Sequence, residues 1–178
     1  MKTPKASKYR AYAKKSWHTW VSTCFGLGFL PFAPGTWGSL AGIPLGLYLL
    51  RFPIWASVLF CFALAWALTP IVRKSSLDLS NNDASEIVVD EVIGQALTLL
   101  CLKKYVILNP QFLTFEYLPI SYIVWAFVLF RIFDIFKPFP ANLLDRQKTV
   151  FGLFGDDIVA GLYAALVLRG IIKILPAL

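Results

Sequence analysis

Five carboxylates stand where an apolar chain should disfavour them. Asp90 and Glu91 interrupt IVVDEVIGQALTLL, Asp134 lies within WAFVLFRIFDIFKP, and Asp156-Asp157 opens DDIVAGLYAALVL. An uncompensated ionised carboxylate in such surroundings costs several kcal/mol, so each needs a cation, a hydrogen-bond network or a wet cavity. Gathered by a fold, the five would repel one another and hold their protons tightly unless a cation intervened. One divalent ion would compensate several of them. Donor sets made only of oxygen select hard ions, so Mg2+ is the expected cofactor and Mn2+ its substitute.

The cations near these acids are few. Arg131 and Asp134 are three residues apart and share a helical face, with Lys137 three further on. Arg131–Asp134 reads either as a buried salt bridge or, beside a metal cluster, as part of a clamp on phosphate oxygens. Asp90 and Glu91 point about 100° apart on a helix, so one could bind metal while the other holds a neighbouring group. Asp156 reads equally as a helix cap or a ligand, and Asp157 sits at the positive end of the same helix. Upstream, GLGFLPFAPGTWGS (residues 26–39) offers Gly35, Thr36 and free N–H groups at a helix start, which suits phosphate. It is no Walker loop, because no Gly-Lys-Ser/Thr follows.

The elements that must position these groups read as helices throughout. Short helices are expected over 16–25 and 39–50, with Gly26 to Gly38 as a loop between them. A long apolar helix over 53–74 follows, then a polar turn over 78–85. Further helices are expected over 86–102, over 118–137 (stopped by Pro138 and Pro140), and over 156–175, the last after a loop with Asp145 and Arg146. The run from Phe52 to Val72 would reach roughly 30 Å, the thickness of a bilayer core. At least one transmembrane span is therefore expected, with weaker candidates at 118–130 and 158–178. The fold class is all-α, a compact membrane-associated helical domain over 16–178 behind a basic, mobile tail over 1–15.

Composition agrees. Of 178 residues 58% are hydrophobic and 15% charged, and the mean hydropathy is +0.67. The net charge of +7 is concentrated at the N-terminus: Lys2, Lys5, Lys8, Arg10, Lys14 and Lys15 precede the first acid, Asp78. Such a segment suits a cytoplasmic, membrane-facing tail better than a nucleic-acid arm, with Trp17 and Trp20 as interfacial anchors. No continuous apolar stretch fits a secretory signal. Cys24, Cys61 and Cys101 lack metal-ligand spacing and read as inert thiols, and His18 reads as an interfacial side chain.

Several blocks together resemble the phosphatidylglycerophosphatase A family: GLGFLPFAPGTWGSLAGIPL, Asp83 followed by IVVDEVIGQ, FRIFDIFKPFP, Asp145-Arg146 and DDIVAG, in order over about residues 17–165. One departure is the segment KTVFGLFGDD, which keeps only Gly152 and Gly155 where a Gly-Gly pair is usual. The resemblance implies Mg2+-dependent removal of the terminal phosphate of phosphatidylglycerophosphate at the bacterial cytoplasmic membrane, and the expected mechanism is attack by a metal-activated water at a site facing the cytoplasm. It implies metal positions at Asp83, Asp90, Glu91, Asp134, Asp156 and Asp157, with Asp90, Glu91, Asp134 and Asp157 catalytic. The family's loop falls on Pro34, Gly35 and Thr36, and Gly35, Thr36, Arg131, Lys137 and Arg146 would contact phosphate. Two rivals predict other features. A CDP-alcohol phosphotransferase should carry DG-x2-AR…G-x3-D-x3-D, which is absent, and an ion-conducting membrane protein or scaffold would release no phosphate.

Overall fold

The computed structural model describes residues 16–79, 85–104, 118–147 and 149–174. The tail over 1–15, Asp83 and most of the 103–118 connection lie outside the described residues. Helices account for the described architecture, with no strand among those residues. In chain order they are α1 (Trp17–Ser22), α2 (Pro34–Leu49), α3 (Ile54–Asp78), α4 (Val89–Leu99), α5 (Ile120–Phe136), α6 (Ala141–Arg146) and α7 (Val150–Ile174). Short 3-10 turns lie at Leu27–Phe29 and Leu100–Leu102.

Helix α4 is the hub. Ten of its eleven residues are buried, with α2 on one side, α7 on another and α5 beyond. Its core side chains include Ile93 and Leu97, which join Phe130, Ala160, Ala164 and Leu168 in one apolar cluster. The contact with α2 runs along a stripe of small residues. A Cβ added at Gly42 would lie 2.6 Å from the Val92 carbonyl oxygen and 2.8 Å from Gln95 Cβ, so only glycine lets these backbones approach so closely.

This seam explains where α2 begins. Gly35 and Gly38 suggest a loop up to Ser39, yet the helix starts at Pro34, whose fixed φ suits a first helical position. Packing against α4 outweighs the weak helix propensity of glycine. The final helix is also longer than expected. Thr149 Oγ1 accepts the Gly152 N–H at 3.0 Å, which is the N-cap geometry. Helix α7 therefore begins six residues before Asp156. Asp156 is not its cap, and Asp145-Arg146 end the short helix α6 rather than a loop.

Two helices, α3 and α7, are long and apolar enough to cross a membrane, each with 25 residues. Helix α5, at 17 residues, is shorter. Helix α3 turns large apolar groups outward, including Trp55 at 69% and Trp66 at 75% exposure, a surface that suits lipid better than water. Polar groups tie the helices together where they meet. The Ser22 and Ser75 hydroxyls are 2.8 Å apart between α1 and α3, and Ser57 Oγ donates to the Leu49 carbonyl at 2.8 Å. Trp17 and Trp20 are exposed, whereas His18 faces Asp78, with Nδ1 3.2 Å from Oδ2. Cys24, Cys61 and Cys101 are free thiols.

Candidate active site

The first turn of α4 carries Asp90 and Glu91, and the second turn of α7 carries Asp156 and Asp157. The close α4–α7 packing brings these turns together. One carboxylate oxygen from each of Asp90, Glu91 and Asp157 lies within 4.8 Å of the other two. The angular offset of Asp90 from Glu91 therefore does not separate them, because a third carboxylate from another helix lies within reach of both. Asp90 and Asp157 are 3% and 4% exposed. Among the described residues, Asp90 Oδ1 and Glu91 Oε2 are buried with no hydrogen-bond partner.

Electrostatics show the cost of this arrangement. Burial, then the Glu91 charge and a hydrogen bond shared with it, then Asp156, hold the Asp90 carboxyl well above the usual range. Burial also raises Glu91; the Asp90 hydrogen bond opposes the shift, the Asp134 charge adds to it and Arg131 opposes it. The folded protein therefore binds more protons than the unfolded chain from the ordinary carboxylate range up to these raised values, and stability falls as pH rises through that window. In excess chelator the melting temperature should decline from about pH 5 upward, and added Mg2+ should restore it at the upper end. A thermal melt in detergent across pH, with and without Mg2+, checks this; a chelator profile that rises with pH would contradict it.

The remaining charges form a second tier. Arg131 pairs with Asp134 on α5, and its Nη1 donates to Ser39 Oγ at 3.4 Å. Ser39 Oγ in turn donates to the Gly35 carbonyl at 2.7 Å. A Cβ at Gly35 would collide with Glu91 Oε1 and lie 3.0 Å from Arg131 Nη1. The glycine thus lets the start of α2 close over the acid cluster. Thr36 adjoins it, but its backbone N–H is already given to Ala33 O at 2.9 Å.

Lys137, left-handed at φ 43°, ends α5. Its ammonium pairs with Asp145 of α6 and, at 2.6 Å, with Asp156 of α7. Burial alone would make this lysine easier to deprotonate, but its hydrogen bonds to Asp145 and Asp156 outweigh that and leave its pKa raised. Asp156 is thus neutralised by a lysine, whereas Asp90, Glu91 and Asp157 make no ion pair among the described residues, and Glu91 feels the charge of an Arg131 already paired with Asp134. Arg146 is exposed at the end of α6, with no ion pair among the described residues. Asp83 lies outside them.

Sequence alone placed Ser39 at the end of the phosphate-cradle loop but missed its link to Arg131, and it passed over Gln95, whose wholly buried amide lies one turn beyond Glu91. A glutamine within an otherwise apolar stretch of α4 was the available signal for the second. For Ser39 the partner, Arg131, is 92 residues away and left none.

The sequence that builds this site is similar to those of known proteins. The family model of phosphatidylglycerophosphatase A matches residues 20–172. The chain belongs to the phosphatidylglycerophosphatase A family. All the site positions considered above fall within the matched span. A phosphatidylglycerophosphatase A of Haemophilus influenzae is 36% identical over 154 residues, covering 83% of each chain. That of Escherichia coli K12 is 33% identical over 161 residues, covering 89% of this chain and 85% of the relative. A Bacteroides thetaiotaomicron protein provisionally named a phosphatidylinositol-3-phosphatase is 37% identical over 153 residues, covering 81% of this chain and 86% of its own. No solved structure matches. Family members are thus named as phosphoric monoester hydrolases, and the two long apolar helices agree with membrane association.

Proposed function

We propose that this protein removes the terminal phosphate of phosphatidylglycerophosphate, yielding phosphatidylglycerol and inorganic phosphate, with Mg2+ held at Asp90, Glu91 and Asp157. The observation that carries the reading is the convergence of three carboxylates, Asp90 and Asp157 buried and Glu91 partly so, with unpartnered oxygens on Asp90 and Glu91 and more negative charge than the neighbouring Arg131 offsets. An oxygen-only donor set with unpartnered oxygens fits a hard divalent ion. Mg2+ held there would neutralise charge on the phosphoryl oxygens and make an attacking water more acidic.

The chain's own groups divide the remaining work. Arg131 and the start of α2, with Gly35 and Thr36, hold the phosphate beside the cluster. Asp134 is outside the three-oxygen group and held by Arg131, so it is the carboxylate left to accept a proton from the attacking water. Asp156 fixes Lys137 at the junction of α5, α6 and α7, where its ammonium adds positive charge near the phosphate. Asp83 keeps its place in the ligand set on sequence alone, and Arg146 its place as an outer phosphate contact.

The charge distribution supports a cytoplasmic-facing site in a bacterial inner membrane. The site lies at the end of α7 that packs near Thr69, Arg73 and Ser76 of α3. That end carries Arg73, Lys74, Lys137 and Arg146. It is also tied by Ser22–Ser75 to α1, which follows the six cations of the N-terminal segment. Arg51, Lys103, Lys104, Arg169 and Lys173 lie at the opposite end. The six cations that precede α1 in sequence tip the balance to the site side, as the positive-inside rule expects of a cytoplasmic face.

The headgroup test is phosphate release by purified protein with Mg2+ from phosphatidylglycerophosphate, phosphatidylinositol 3-phosphate and phosphatidic acid in matched mixed micelles. The highest kcat/KM is expected on phosphatidylglycerophosphate. A higher value on phosphatidylinositol 3-phosphate would reassign the substrate to the activity named for the Bacteroides relative.

A further inference from the structure

Gln95 is a buried polar residue whose presence the packing of the protein does not require. It is 0% exposed, and among the described residues neither its amide nitrogen nor its amide oxygen has a hydrogen-bond partner. A primary amide held in this way forfeits its bonds to water without replacing them. Methionine, of similar length, would fill the space without that loss, so the amide must find its partner in another state of the site.

The geometry indicates which group that is. Side chains on an α-helix lean toward its N-terminus, over the preceding turn, so Gln95 leans toward Glu91. Both face α2: an added Cβ at Gly38 would lie 3.4 Å from Glu91 Cβ, and one at Gly42 would lie 2.8 Å from Gln95 Cβ. Glu91 Oε2 is itself buried and unpartnered. A donor and an acceptor one turn apart, on one face and against the same neighbouring helix, are both unsatisfied.

We infer that Gln95 is a positioning residue for the ion site, its amide N–H fixing the Glu91 carboxylate, directly or through one water, in the orientation that Mg2+ requires. The pairing forms together with ion binding. The inference rests on the reading of Asp90, Glu91 and Asp157 as the ion site.

The test is thermal melting of the full-length protein in detergent, titrated with Mg2+ from a chelated start, for wild type and Gln95→Met. The wild-type melting temperature should rise with Mg2+. Gln95→Met should melt at or above the wild-type temperature in chelator, yet need about tenfold more Mg2+ to reach half of its shift, the effect typical of losing a group that orients a metal ligand. Equal half-shift concentrations would overturn the inference while leaving the ion site standing. A lower melting temperature for Gln95→Met in chelator would overturn it too, by showing a structural role. Should that variant not fold, Gln95→Leu takes its place; if neither folds, the inference fails, because a group unpartnered without the ion cannot be what holds the fold together. A wild type that shows no Mg2+ response would overturn both this inference and the ion site beneath it.

Discussion

Asp90→Asn should lower phosphate release by about 10³-fold while leaving the protein folded and, in chelator, at least as stable as wild type. The two effects have one cause. Asp90 is 3% exposed, and burial and its neighbours Glu91 and Asp156 hold its carboxyl well above the usual range. An isosteric amide removes that repulsion and offers an N–H to the Glu91 carboxylate, so the metal-free protein gains. The same amide is a poor ligand for a hard ion, so the loaded enzyme loses. Asp134→Asn should behave differently, because it breaks the pair with Arg131 and costs stability as well as rate. Thermal melts in chelator beside phosphate release with Mg2+ read both quantities. Retention of rate within tenfold by Asp90→Asn would remove Asp90 from the ion site.

Gly94→Ala should destabilise the protein by about 1–3 kcal/mol, the usual range for an overpacked core, and should reduce turnover further than the loss of folded protein explains. The added Cβ would lie 2.6 Å from the Phe130 ring and 2.7 Å from the Asp157 carbonyl oxygen. Neither the ring, fully buried in the core, nor the helical backbone has room to yield. The α4–α7 contact must widen there, and it is the contact that brings Asp157 to Asp90 and Glu91. Gly170→Ala supplies the control. Nothing lies within 4 Å of a Cβ there, so replacing a helical glycine should be neutral or stabilising by up to about 1 kcal/mol. Equal stability and activity for the two variants would contradict the packing account.

Much of the site is legible in the sequence, and much of the packing that builds it is not. The acids announced themselves because Asp90, Glu91, Asp134 and Asp157 break apolar helices, and apolar continuity announced α3. The block order led to the family that the comparisons then showed. Helix starts were harder. Gly35 and Gly38 read as loop residues because glycine is a weak helix former, but they serve the α2–α4 seam, a tertiary demand. Gly152 and Gly155 hid the first two turns of α7 in the same way, which left a cap as one of two readings of Asp156 when Thr149 fills that place. Pairings across the chain were invisible. Lys137 finds Asp145 and Asp156 eight and nineteen residues away, and Arg131 reaches Ser39 only through the fold.

The account turns on whether the three convergent carboxylates work through a divalent ion. Phosphate release from phosphatidylglycerophosphate by the purified wild type, measured in excess chelator and again after Mg2+ is restored, tests this most directly. The expected result is turnover at background in chelator and full recovery on adding Mg2+. An undiminished rate in chelator would contradict the account.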